Sequence, residues 1–176
     1  ASQRAGIHPD LVALSKGLTA GFLPMGITMA REAIFEEFLG SDPTRTLWHG
    51  HSFTANPLGC AAANASLDLL EAEPGNYQQF QDRHQPRLER LARHPKVQRP
   101  RLCGTIAAFD LVTDGSQGYL NPAGKILRSL VREHGVLIRP LGDLVYLLPP
   151  LCISDAQLDQ CYEGIESGLD VLRAQA

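Results

Sequence analysis

The sequence predicts an α/β protein in two pieces, a strand, loop and helix segment up to about residue 75 and a smaller α+β unit after it. Three observations carry this. Asp10-Leu11-Val12-Ala13-Leu14-Ser15 is an apolar run too short for a helix that runs straight into Gly-punctuated loop. Asn-Pro occurs at 56–57 and again at 121–122, each time opening a run with helical apolar spacing. Beyond Gly75 the chain turns polar and basic before apolar segments resume.

The bulk numbers agree. A chain of 176 residues with 44% hydrophobic and 20% charged residues is neither disordered nor a coiled coil, and is long enough for a core. Sixteen Lys and Arg against nineteen Asp and Glu give a formal charge of -3, which implies no nucleic-acid-binding face. No apolar stretch approaches the roughly 18 residues that would span a membrane. The four cysteines, Cys60, Cys103, Cys152 and Cys161, form no CxxC pair, so a reduced, cytoplasmic protein is expected. The first residue is Ala1 rather than Met, which fits a processed chain or a piece of a longer one.

In chain order, residues 10–15 read as a buried strand with no neighbour in this chain to complete a sheet. The loop that follows is marked by Gly17, Gly21, Pro24 and Gly26. Arg31 to Leu39 reads as a short helix with Ile34, Phe35, Phe38 and Leu39 on one face and Gly40 at its end. Leu58 to Glu71, capped by Asn56-Pro57 and stopped by Pro74-Gly75, is apolar nearly all round and so predicts burial between layers or subunits. Residues 77–99 predict a helix with Tyr77, Phe80, Leu88 and Leu91 inward, bent or broken at Pro86. Gly104 to Val112 reads as a strand. A helix after Asn121-Pro122 carries Ile126, Leu127, Leu130 and Val131 on one face and closes at Gly135. Residues 136–138 and 144–148 read as two strands around the turn Pro140-Leu141-Gly142-Asp143. Ser154-Asp155-Ala156-Gln157 is a capping box opening a last helix with Leu158, Cys161, Ile165, Leu169 and Leu172 in one stripe. Gly164 and Gly168 weaken that helix by about 1 kcal/mol each unless a neighbour needs the space.

Three places could carry chemistry. Lys16 directly follows the apolar run, where burial would favour a neutral, nucleophilic amine; its plainer reading is a surface lysine at a strand end. Residues 48–57, Trp-His-Gly-His-Ser-Phe-Thr-Ala-Asn-Pro, combine flexible backbone, two hydroxyls and a helix N-terminus, a plausible phosphate seat or simply a polar turn. His49 and His51 find no third ligand at a supporting spacing, so no metal is expected. Arg139 precedes Pro140 at a predicted strand end, suited to holding a carboxylate through two parallel hydrogen bonds. No P-loop, GxGxxG or hydrolytic Ser/His/Asp order stands out.

Taken together, Pro9-Asp10-Leu11-Val12-Ala13-Leu14-Ser15-Lys16-Gly17-Leu18-Thr19-Ala20-Gly21-Phe22-Leu23-Pro24-Met25-Gly26 resembles the cofactor-lysine segment of the class III aminotransferases, pyridoxal-phosphate enzymes of fold type I. His49-Gly50-His51-Ser52-Phe53-Thr54-Ala55-Asn56-Pro57-Leu58-Gly59-Cys60-Ala61-Ala62-Ala63 resembles the family's HGxTYxGNPLACAAA segment. Residues 135–140 and 144–150 are most similar to the members that act in biotin synthesis.

The resemblance implies the C-terminal part of fold type I: residues 1–75 as a remnant of the large cofactor-binding domain and 76–176 as the small α+β domain. It implies that Lys16 carries pyridoxal 5'-phosphate and moves the proton between substrate carbon and cofactor. By the same resemblance Ser52 reaches the cofactor phosphate of a neighbouring subunit in a homodimer, with His51 beside it. Gly50 gives a backbone contact near the substrate, Arg139 holds the keto acid's carboxylate, and Tyr146 lies nearby. The implied reaction moves an amino group from S-adenosylmethionine to 8-amino-7-oxononanoate. The family's pyridine-pairing aspartate, phosphate turn and substrate-lining aromatics belong upstream of Lys16, so a chain inactive alone is expected. The rivals are a class III enzyme acting on an ω-amino acid or diamine, and a cofactor-free interaction module derived from the fold.

Overall fold

The computed structural model describes residues 2–72, 76–115 and 117–174, and the chain divides into two compact units, residues 1–74 and 75–176. The Pro74-Gly75 stop and the Tyr77 side chain lie outside the described residues.

In the first unit a short helix α1 (Ser2–Ala5) precedes β1 (Leu11–Leu14). The strand expected to stand alone has a partner, β2 (Ile27–Ala30), paired antiparallel with Leu11 opposite Ala30 and Leu14 opposite Ile27. Ile27 and Thr28 give β2 β-branched character, but four residues flanked by a Gly-rich loop are too few to show a period. Neither is β1 buried within this unit: only Val12 is partly covered. Helix α2 (Glu32–Glu36) is shorter than expected, and Phe35, Phe38 and Leu39 are exposed.

Helix α3 (Pro57–Ala72) starts where Asn-Pro placed it, with the Leu58 N–H donating to Asn56 Oδ1 at 3.0 Å. Its expected burial is not met within the unit. Gly59, Ala63 and Ser66 are covered, whereas Leu58 and Leu69 are 70% and 73% exposed.

The second unit runs α4 (Asn76–Leu91), β3 (Val97–Cys103), β4 (Ile106–Leu111), α5 (Ala123–Glu133), β5 (Leu144–Leu147) and α6 (Asp155–Ala174). Its sheet is antiparallel in the order β3-β4-β5. Strand β3 begins within the end of the segment expected to be helical, 77–99, and runs beyond it, its pattern hidden by Arg99-Pro100, where the register shifts and Arg99 takes φ +49°. Helix α4 continues through Pro86 rather than breaking there. Pro86 lies on the exposed side, where water can satisfy the carbonyl that the missing N–H leaves free.

The core joins Leu88 and Leu91 of α4, Phe109 and Leu111 of β4, Leu127 and Val131 of α5, Val145 of β5, and Leu158, Tyr162, Ile165 and Leu169 of α6. The capping box of α6 forms as expected: the Gln157 N–H donates to Ser154 Oγ at 3.2 Å and the Ser154 N–H to Gln157 Oε1 at 3.0 Å. Both α6 glycines sit at tight contacts with neighbouring side chains. A Cβ on Gly168 would meet Leu127 Cδ1 at 2.9 Å, and one on Gly164 would meet His134 Cβ at 3.1 Å.

Helices α4 and α6 run parallel, held by a row of ion pairs: Arg83–Asp155 at 2.9 Å, Arg87–Asp159 at 2.6 Å, Arg90–Glu166 at 3.4 Å and, when the imidazole is charged, His94–Asp170 at 3.3 Å. Within the same helix pair, fully buried His84 meets the Tyr162 hydroxyl through Nδ1 at 2.8 Å, while its Nε2 has no partner. Burial, reinforced by the charges of Arg83 and Arg87, lowers the His84 pKa to about 4, and burial pushes the Tyr162 hydroxyl upward.

Residues 136–138 do not form the expected strand. Val136 and Ile138 are buried and Leu137 is exposed, a strand-like alternation without a ladder. Gly135 at φ +74° turns the chain out of α5, and Pro140 offers no N–H; among the described residues the following chain pairs with β5 by backbone at the isolated Leu141–Leu144 bridge.

Candidate active site

Two of the three sequence-singled places meet in the first unit. Ser15 ends the β1 run in extended backbone, and Lys16 opens a single 3-10 turn, Lys16–Thr19. That turn is fastened from inside. Thr19, 2% exposed, donates its hydroxyl to the Leu23 carbonyl at 2.5 Å and accepts the Leu23 N–H at 3.3 Å. The Ser15 hydroxyl donates to the Met25 carbonyl at 3.2 Å. Lys16 is held at φ +48°, a region that costs a residue with a side chain roughly 1–3 kcal/mol.

Across from this turn lies the segment before α3. The Thr54 hydroxyl accepts the His51 N–H at 3.0 Å, and His51 Nδ1 accepts the Phe53 N–H at 3.2 Å, so the neutral ring carries its proton on Nε2. Ala55 takes φ +56° and leads into the Asn56 cap. The two segments enclose a cavity of about 780 Å³ lined by Lys16, His49, His51, Thr54 and Asn56, with Pro24 to Gly26 along one wall. Of the four non-glycine residues at positive φ among the described residues, Lys16 and Ala55 both line it.

The expected residues do not all arrive there. His51 lines the cavity with Lys16; Gly50 and Ser52 belong to the same segment but do not line it, and Ser52 is exposed. Lys16 is itself exposed, so the burial expected of it is not supplied within this unit. Its amine makes no hydrogen bond or ion pair among the described residues. His49, set aside as a metal ligand, lines the cavity too, and no group of three or more metal-ligating side chains occurs among the described residues. Thr19 and Ser15 escaped notice because nothing in their spacing distinguishes a hydroxyl that fastens a turn from one facing water.

Arg139 and Tyr146 line a separate cavity of about 650 Å³ in the second unit, together with Val136, Leu148, Pro149 and Gln160. Arg139 is exposed and unpaired among the described residues. A free guanidinium over an apolar wall can take a carboxylate with an aliphatic chain behind it. The four cysteines are free thiols; burial raises the pKa of Cys161.

A primary amine unpaired on a strained turn, facing a cavity opposite a helix N-terminus, suits the covalent attachment of a phosphorylated aldehyde cofactor. The chain belongs to the class III aminotransferases, whose family pattern matches residues 1–169. Family members are pyridoxal-phosphate enzymes, and the part of fold type I that this chain represents is its C-terminal one.

Among curated proteins the chain is 55% identical over 170 residues, 97% of its length, to the adenosylmethionine-8-amino-7-oxononanoate aminotransferase of Synechococcus elongatus, and covers 40% of that protein. It is 39% identical to the Geobacter sulfurreducens enzyme of the same name, matching 94% of this chain and 38% of that one. Among solved structures, the Methanocaldococcus jannaschii enzyme of that name superposes with a TM-score of 0.83 at 30% identity, over 93% of this chain and 39% of the other. A PLP-bound amine transaminase from an uncultivated Pseudomonas species gives 0.79 at 33% identity, over 97% of this chain and 40% of the other. The chain thus spans about two-fifths of the length of the relatives it matches.

Proposed function

We propose that this chain is the C-terminal part of a pyridoxal-phosphate aminotransferase that moves an amino group from S-adenosylmethionine to 8-amino-7-oxononanoate, giving 7,8-diaminononanoate in biotin synthesis. The observation that carries this is the 55% identity to the Synechococcus elongatus enzyme over 97% of the chain. Likeness of fold alone would not choose the substrate, since the amine transaminase superposes almost as well.

When bound, the cofactor's conjugated ring supplies the electron sink for breaking a C–H bond next to nitrogen. The residues of the chain supply the rest. Lys16 Nζ would hold the cofactor and, once released, take the proton from the substrate carbon and pass it to the cofactor. The strained Lys16 turn, fastened through Ser15 and Thr19, sets where that amine can reach. His51 borders the same cavity, and Gly50 offers backbone beside it. Ser52, exposed and outside the cavity, is suited to donating its hydroxyl to the cofactor phosphate of a second subunit, which makes the working form a homodimer. Arg139 orients the keto acid by its carboxylate, with Tyr146 beside it. Residues 1–75 are then the end of the large domain and 76–176 the small one, in a cytoplasmic enzyme; no helix among the described residues is long and apolar enough to cross a membrane.

Lys16→Ala in the longer protein tests this. The absorbance of covalently bound cofactor should vanish and turnover with S-adenosylmethionine as sole amino donor should fall by about 10²–10⁴-fold. An unchanged cofactor spectrum would overturn the lysine assignment, and turnover only with ω-amino acids or diamines would overturn the substrate. The 176-residue chain alone, given pyridoxal phosphate, is expected to show no turnover.

A further inference from the structure

Arg139 does not stand on a strand, which leaves open what aims it. The segment leading to it is extended but makes no ladder. Its side chains Val136 and Ile138 are buried, and on its far side the chain turns through residues 140–143 into β5, where Tyr146 lies. That turn sits backbone against backbone on two neighbours. A Cβ on Gly124, in the first turn of α5, would fall 2.0 Å from the Gly142 carbonyl oxygen and 2.6 Å from Pro140 Cβ. A Cβ on Gly142, at φ +66°, would fall 2.0 Å from the Gly118 carbonyl oxygen. Glycine at these positions lets three pieces of main chain stack with no side chain between them.

One side chain ties the stack together. Asp143 is 5% exposed; its Oδ1 accepts the Gly118 N–H at 3.0 Å, and its main-chain carbonyl accepts the Leu111 N–H at 2.8 Å. Its Oδ2 is buried without a partner. An orphaned carboxylate oxygen is a cost that a turn does not require, because Gly142 already supplies the left-handed corner. What the acid adds is the bond to Gly118, which fixes the turn against the 117–120 loop four residues from Arg139.

We infer that Asp143 is a positioning residue for Arg139: by fastening the 140–143 turn to Gly118 it holds the guanidinium where a substrate carboxylate meets it. The inference rests on the reading of Arg139 as the carboxylate-holding residue.

The test is a double-mutant cycle in the longer enzyme, with 8-amino-7-oxononanoate as the varied substrate. Asp143→Ala should raise its KM about tenfold with kcat changed far less, and should add nothing further in an Arg139→Ala background, because both changes remove the same interaction. Asp143→Asn, which keeps an acceptor for the Gly118 N–H, should restore KM to within about twofold. Additive effects in the double variant, or an equal fall in kcat with KM unmoved, would overturn the proposal. Should the alanine variant not fold, Asp143→Ser, too short to span to Gly118, is read the same way; if neither folds, the residue serves folding and the proposal fails. A KM unmoved by Arg139→Ala alone would instead remove the carboxylate role of Arg139, and this inference with it.

Discussion

The two units divide the labour unevenly. Among the described residues only Ala63 of the buried hydrophobics belongs to the first unit; nearly all the rest, from Leu88 to Leu169, build one core in the second. The first unit carries the lysine and the cavity it faces, yet leaves Phe22 and Trp48 more than 80% exposed. A segment can thus hold a strained lysine turn by a few local hydrogen bonds while contributing almost no core of its own. The core and the lysine turn are written into different stretches of one sequence.

That contrast can be broken by substitution. Ile165→Ala in α6 removes a fully buried side chain from a close-packed helix contact and should cost roughly 2–5 kcal/mol in urea unfolding of the chain. Leu69→Ala in α3 removes a side chain of the same size that is 73% exposed, and should stay within about 0.5 kcal/mol. Equal losses would mean that the first unit shares a core not visible in its burial.

The next effect is of pH. His84 stays neutral in the folded chain down to about pH 4, whereas an unfolded histidine takes up its proton near 6.5. Between those values the unfolded state binds more protons, so stability is complete above about 6.5 and declines as pH falls toward 4, on the order of 3 kcal/mol in all. Urea midpoints measured across that window should slope accordingly, and His84→Phe should flatten the slope. A smaller change is expected of Ser154→Ala, about 1 kcal/mol, from loss of the α6 cap. Lys16→Ala should leave the unfolding of the second unit where it was, since a residue can be indispensable to chemistry and irrelevant to the core.

The second unit was the more legible in sequence, for a physical reason. Its last helix shows both a capping box and a buried stripe, and Leu158, Ile165 and Leu169 fall where their spacing puts them. The failures came where neighbours outvote local pattern. Val136 to Ile138 has the composition and alternation of a strand but makes no ladder with any strand of the sheet. Strand β3 was disguised by Arg99-Pro100, and Pro86 passes through a helix because its loose carbonyl can meet water. In the first unit Lys16, His51 and Asn56 were legible as motif residues, whereas Thr19, which fastens the turn, was not: its role depends on a carbonyl at Leu23 that only the folded loop brings near.

The row of charges between α4 and α6 leaves a problem that the buried pair beside it solves. Its cations lie on α4 and the turn just after it and all its anions on α6, so a slide of one turn would still find matches: Arg83 would come to face Asp159, and Arg87 would face Glu163. Such a row chooses which helix to meet but is nearly blind to the rung. His84 is not blind. Displaced one turn it would lose the Tyr162 hydroxyl for Glu166 in one direction or Leu158 in the other. The charges act as the address and the single buried hydrogen bond as the proof-reader, and the unpartnered Nε2 is what that discrimination costs.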